Sequence, residues 1–252
     1  MCLILFSYKS HPKYKLIIAA NRDEFYSRPT KEAHWRGVSP DILAGKDMHA
    51  GGTWMGIAEN GRIAALTNYR SPEDMQNHCK SRGKLVFSYL KGEMSPEVCS
   101  EALSETAGRY NGYNLLFGDV NNLYWYSNKT DSLQRLDAGV HGLSNHLLNT
   151  PWPKVERGKK LFRETIKKDF SSEDLLKILK DDIRSKDAEL PETGVGVELE
   201  RILSPMFIVS PEYGTRSSTI ITVSNDNKVT FVERTYNSEP KNTDVKFEFK
   251  IL

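Results

Sequence analysis

The chain has 252 residues, 38% of them hydrophobic, enough for one large domain with a packed core, and this excludes a disordered chain. With 35 Lys and Arg against 33 Asp and Glu, its net charge of +2 gives no positive field to hold nucleic acid or an anionic membrane. Three dispersed cysteines, Cys2, Cys79 and Cys99, form neither a disulfide framework nor a CxxC metal knuckle, which fits a reducing compartment. The apolar runs are strand-sized, and no basic segment followed by an apolar core opens the chain. The expectation is a cytoplasmic protein of one domain, residues 1–252, without a membrane span or a nucleic-acid partner.

In chain order, strand formers at Met1 to Tyr8 and Tyr14 to Ala20 flank Ser10-His11-Pro12 and predict a hairpin. Asn21-Arg22-Asp23-Glu24 then reads as a polar strand end, and the stretch from there to Thr53, containing Pro29 and Pro40, as irregular. Thr53 to Ala58 and Ile63 to Tyr69 form a second hairpin around Asn60-Gly61. Helices are predicted at Ser81 to Leu90 and Ser95 to Tyr110, the latter capped by Ser95 with Pro96 behind it. Tyr113 to Val120 and Leu123 to Ser127 pair next, and strands follow at Gln134 to Leu136 and Gly139 to Ser144. Lys154 to Lys168 and Ser172 to Ile183 read as helices, the second opened by Ser172, and 185–205 as an exposed loop. Strands close the chain at Phe207-Val209, Ser218 to Ser224, Lys228 to Glu233 and Val245 to Ile251. Hairpins alternating with helix pairs predict α+β layers, two antiparallel sheets face to face with helices outside.

The second residue carries the strongest chemical signal. Removal of Met1 is favoured by a small neighbour, and it would leave Cys2 with a thiol and a free α-amino group on one residue. These groups ordinarily titrate near about 8.5 and about 8, so a modest lowering of both makes a reactive thiolate beside its own base. Asp23 is placed to hold such an ammonium, and Arg22 to lower the thiol pKa; Asn21 and Glu24 complete the segment as supporting residues. Asn68 and Asn145 each follow an apolar strand, and a neutral amide donates to an oxyanion with no proton to lose. Arg216 precedes a strongly apolar strand and offers a partner for a carboxylate or for Cys2. The six histidines show no HxH or HxxxH spacing, so no metal is expected. GxGxxG, P-loop and GxSxG patterns are missing too; Gly51-Gly52-Thr53-Trp54-Met55-Gly56 instead suits a backbone passing close to a site.

These residues also carry a family resemblance. Met1-Cys2, the run from Ala19 through Asn21-Arg22-Asp23-Glu24 to Pro29, Gly51 to Gly56, Ala64 to Tyr69, Gly142 to Asn145, Thr150-Pro151-Trp152 and Gly214-Thr215-Arg216 resemble the NRDE-domain family, also called transport and Golgi organisation 2. The resemblance runs to about residue 235 and implies an N-terminal nucleophile hydrolase fold, a four-layer αββα sandwich. It implies Cys2 as nucleophile, Asp23 beside the amino group, Asn68 and Asn145 as oxyanion and amine partners, and Arg216 as thiol neighbour. Related hydrolases read Arg-Asn-x-Asp where this chain has Asn21-Arg22-Asp23, which sets Arg22 on the strand face opposite its counterpart. The implied activity is hydrolysis of an amide or thioester of a small acyl substrate, with no required cofactor. The family's links to haem trafficking and to acyl-coenzyme A and lipid handling imply an alternative, a non-enzymatic carrier using the same pocket. For haem, Cys2, His49 and His146 are the candidate iron ligands, and Trp54, Tyr69, Trp152 and Phe25 the candidate apolar wall.

Overall fold

A computed structural model describes residues 3–37, 40–76, 79–236 and 242–252. Cys2 and the start of the first predicted strand therefore lie outside the described residues. The first strands are β1 (Leu3–Tyr8), β2 (Tyr14–Phe25), β3 (Thr30–Trp35), β4 (Ile42–Asp47), β5 (Met55–Ala58) and β6 (Arg62–Asn68). Helices α1 (Gly83–Lys91) and α2 (Pro96–Thr106) precede β7 (Tyr113–Asp119), β8 (Leu123–Ser127), β9 (Ser132–Arg135) and β10 (Gly139–Leu143). Helices α3 (Pro153–Ile166), α4 (Ser172–Leu179) and α5 (Val197–Leu203) then lead to β11 (Tyr213–Ser224), β12 (Lys228–Thr235) and β13 (Thr243–Lys250).

The strands build two antiparallel sheets, one ordered β10-β1-β2-β11-β12-β13 and one running β3 to β9 in sequence. β1 and β2 are apolar at successive positions because both of their faces are covered. Leu3, Leu5, Ile17 and Ala19 pack with Ile220 and Val232 against Val155 and Phe162 of α3 and Leu175 and Leu179 of α4. Their alternates Ile4, Phe6, Ile18 and Ala20 meet Leu43, Trp54, Ile57 and Leu116 of the other sheet. That second sheet turns Ala64, Leu66, Leu115 and Phe117 outward under Val86, Tyr89 and Leu90 of α1 and Cys99 and Leu103 of α2. The result is the expected αββα stack. Burial pushes the Cys99 thiol up to about 11, so it stays protonated at neutral pH.

Several boundaries correct the sequence reading. Asn21 to Glu24 are strand interior rather than a strand end, because β11 pairs with β2 as far as Phe25. The stretch read as irregular holds β3 and β4. Ser171 rather than Ser172 caps α4, exchanging hydrogen bonds with Asp174 in a capping box. The predicted loop 185–205 contains α5, where Glu200 is buried. Phe207 to Val209 is no strand; only Val209 bridges Gly214.

Candidate functional site

The candidate residues gather around the end of β1 that Leu3 occupies. On one side Leu3 pairs with Asn21 of β2. On the other, Ile4 pairs with Leu143, the last residue of β10, which leads directly into Ser144 and Asn145. Cys2 is joined to this end by one peptide bond and lies outside the described residues.

Period-two alternation divides the β2 residues between two faces. Asn21 looks to the helix layer, its amide donating to the carbonyls of Leu179 and Met206, both at 2.8 Å, and its Oδ1 accepting from Ser218. That role is a buried clamp, not contact with a ligand. Asp23 shares this face and is buried; its Oδ1 accepts from Thr215 Oγ1 at 2.6 Å, while its Oδ2 has no hydrogen-bond partner among the described residues. Since buried polar atoms are ordinarily paired, that oxygen stands out.

Arg22 faces the space between the sheets, as Ala20 does, and this corrects the expected opposite face. The arginine of Arg-Asn-x-Asp stands three residues before the aspartate, at the place of Ala20 here, and residues two apart on a strand share a face. Arg22 is only 4% exposed. Its guanidinium lies 4.2 Å over the Trp54 ring, donates to Thr30 Oγ1 at 3.1 Å and comes within 3.8 Å of Glu24. Arg28 joins Glu24, at 3.7 Å, to Asp47, at 2.7 Å; burial raises the Asp47 carboxyl, but Arg28 and the His49 and Ala50 N–H groups together hold it below the usual range.

Arg216 sits in a bulge of β11: Thr215 pairs with Asp23 and Ser217 with Arg22, leaving Arg216 as the extra residue. From there its Nη1 donates to the carbonyls of Phe25, Tyr26 and Arg28, bracing the turn after β2. Arg22, Arg216, Trp54, Ser217 and Glu233 line a cavity of about 350 Å³ at this end of the sandwich. Sequence reasoning missed Glu233. Its one signal is a carboxylate after Phe231-Val232 at a position whose alternates, Val229 and Phe231, are core.

A second cavity, of about 180 Å³, holds Asn68, Tyr69, Arg70, Asn145, Leu203 and Tyr213 among its walls. Asn145 is buried; its Nδ2 donates to the Asn68 carbonyl at 3.0 Å, and no described residue takes its second amide hydrogen. The Asn68 side-chain amide has no hydrogen-bond partner among the described residues.

The expected ligand wall is split. Trp54 belongs to the first cavity, whereas Tyr69, His146 and Trp152 form one packed group. Thr150 Oγ1 donates to the Leu147 carbonyl and so accepts from His146 Nδ1, leaving His146 Nε2 to accept from the Tyr69 hydroxyl at 2.8 Å. Both ring nitrogens are thus engaged, and burial lowers the His146 pKa. Phe25 and His49 are exposed, His49 on the turn after β4; both lie apart from that group.

Trp54 is also fixed from its other side. A Cβ on Gly45 would fall 2.3 Å from the ring carbon Cη2. Gly45→Ala is therefore expected to push the indole against Arg22 and destabilise the fold by about 1–3 kcal/mol, read by denaturant unfolding with tryptophan fluorescence.

The layered fold is shared with two solved hydrolase structures. The C2A mutant of conjugated bile acid hydrolase from Clostridium perfringens matches with a TM-score of 0.52 at 12% identity, covering 99% of this chain and 97% of that one. The N-acylethanolamine-hydrolyzing acid amidase ortholog of Caenorhabditis elegans also gives 0.52, at 10% identity, over 87% and 92%. The Transport and Golgi organisation 2 family model matches residues 1–238, and the chain belongs to that family. The Homo sapiens Transport and Golgi organization protein 2 homolog is 37% identical over 93% of this chain and 92% of its own length. The Drosophila melanogaster protein of that name is 29% identical over the same shares.

Proposed function

We propose that the protein is a cysteine hydrolase of the N-terminal-nucleophile kind, cleaving an amide or thioester of a small acyl substrate through Cys2. The observation that carries this reading is the convergence at the Leu3 end of β1: Asn21 to Asp23 on one flank, Ser144-Asn145 on the other, with Asn145 tied to Asn68 of the opposite sheet. In this reading Asp23 is the partner of the Cys2 amino group. The unpartnered Asp23 Oδ2 supports it, since an α-ammonium supplies the donor that oxygen lacks. Fold likeness to two hydrolases, one named as an amidase, adds support.

The α-amino group takes the Cys2 proton, and the thiolate sulfur attacks the substrate carbonyl carbon. The spare amide hydrogens of Asn68 and Asn145 bond to the oxygen as it becomes an oxyanion. Collapse breaks the C–N or C–S bond, and the ammonium returns its proton to the departing amine or thiolate. Water then attacks the thioester, releasing the acid and restoring the thiol.

Two measurements test this. Intact mass should show Met1 removed, and an activated ester, 4-nitrophenyl acetate, should acylate the wild type but not Cys2→Ala. Buried Cys99 is not a competing thiolate. Retained Met1, or equal acylation of both proteins, sinks the proposal.

A further inference from the structure

We infer that Arg70, held by Glu200, is the positioning residue that sets the orientation of the Asn145 amide and so decides which of its ends is free for the cavity. The inference rests on the hydrolase reading, because the oriented amide is the donor assigned there to the oxyanion.

Arg70 lies two residues beyond β6, and Glu200 comes from α5, the helix concealed in the predicted loop. Their side chains form an ion pair and are only 9% and 4% exposed. The pairing is complete on the acid side: Glu200 Oε2 accepts from Arg70 Nη1, and Oε1 accepts from the Thr193 N–H at 3.2 Å and its hydroxyl at 2.5 Å. The guanidinium also lies 4.9 Å over the Trp152 ring. It is therefore gripped on several sides before it meets Asn145. A buried ion pair adds little net stability because of its desolvation, so its retention directs attention to what it positions.

Arg70 touches Asn145 twice. Its backbone N–H donates to the Asn145 carbonyl at 2.7 Å, and Nη2 approaches Oδ1 at 3.5 Å. A guanidinium only donates, so it favours the amide oxygen on its side. Turning the amide over would set NH₂ against the guanidinium and Oδ1 against the Asn68 carbonyl, replacing two attractions by two repulsions. The orientation kept leaves an N–H for the cavity, where the reverse would leave an oxygen lone pair that repels an oxyanion.

The test uses the full chain and the double variant R70M/E200Q, which removes both charges and leaves no lone buried ion. Its melting transition is recorded alongside, and E200Q alone serves should the double variant not fold. The first readout is independent of activity: the ¹H–¹⁵N signals of the Asn145 side chain, assigned by their loss in N145A. They are expected to be sharp and slow to exchange in wild type, and broadened or shifted with faster exchange in R70M/E200Q and E200Q. Unchanged signals in the variants overturn the inference.

The second readout is acylation by 4-nitrophenyl acetate. The maximal rate is expected to fall by about 10–100-fold with half-saturation unchanged, R70K recovering part of the loss. In the N145A background the same substitutions should add little, because they act through that amide. An equal further loss there overturns the inference. If the signals respond while N145A acylates at the wild-type rate, the positioning stands and the hydrolase reading falls.

Discussion

Replacing Asn145 by alanine is expected to slow acylation of Cys2 by about 100–1,000-fold, and replacing Asn68 to do the same, each without a matching rise in half-saturation. The magnitude follows from losing one preorganised oxyanion donor, about 3–4 kcal/mol of transition-state stabilisation. The two residues are 77 positions apart and are joined by the bond from Asn145 Nδ2 to the Asn68 carbonyl. Alanine at 145 removes a donor and also leaves that carbonyl unpaired, so it should lose more than alanine at 68, whose carbonyl remains. Single-turnover acylation by 4-nitrophenyl acetate gives both numbers. Wild-type rates in both variants would remove the amides from the chemistry.

Glu233→Gln is expected to make the fold more stable above neutral pH, although it removes an ionisable group from a carefully bonded position. Glu233 is 1% exposed; Oε1 accepts from the Ala33 N–H at 2.7 Å and Oε2 from Thr219 Oγ1 at 3.3 Å, so it links the two sheets. Burial pushes its carboxyl up to about 7 from an ordinary 4.5, with Arg22 opposing the rise. A carboxyl raised in the folded state stays protonated there while the unfolded chain has ionised. Its stabilising contribution is therefore complete below about 4.5 and is lost as pH climbs through about 7, a swing of about 3 kcal/mol. Glutamine keeps the acceptor for Ala33 and cannot ionise. Denaturant unfolding at pH 5 and pH 8 should show the wild type losing stability between them and the variant losing much less. Parallel pH dependence in the two proteins would show that Glu233 is not the titrating group.

The parts of the fold most legible in the sequence are those where local chemistry and packing agree. Asn60-Gly61 between apolar strands fixes the β5–β6 hairpin, with Gly61 at φ +84°. Ser95-Pro96 likewise fixes the start of α2, where the Ser95 side chain accepts from the Val98 N–H. Strands β3 and β4 are hidden because their pairing is supplied from elsewhere. Thr30–Trp35 carries Lys, Glu and His on a partly exposed sheet edge, and its one fully buried residue, Ala33, is held by Glu233 some 200 positions later. Helix α5 is hidden for a similar reason: it is seven residues long, follows Gly196 as its N-cap, and holds its buried acid against Arg70, 130 positions earlier.

Within the site, the residues that converge were legible as strand ends, Asn68 closing β6 and Asn145 just after β10. The facing of β2 was legible in principle, since alternation alone separates Arg22 from Asn21 and Asp23. The split of the aromatic residues was not, because Trp54 and Trp152 differ only in which distant arginine covers them, Arg22 or Arg70.

The bulge at Arg216 has a bearing on which sequence lengths this fold can accept. Before it, Thr215 accompanies Asp23 towards the helices; after it, Ser217 accompanies Arg22 towards the opposite sheet, and the alternation runs unbroken to Val223. Deleting Arg216 alone would leave Thr215 beside Asp23 and Ser217 beside Arg22 in regular alternation, whereas deleting Ser218, within the regular run, would send Ile221 out of one core and Ile220 out of the other. Turns such as that at Asn128 to Asp131 can lengthen or shorten among descendants of this chain. The run from Ser217 to Val223 behaves instead like a reading frame, in which one letter more or less garbles the rest of the line.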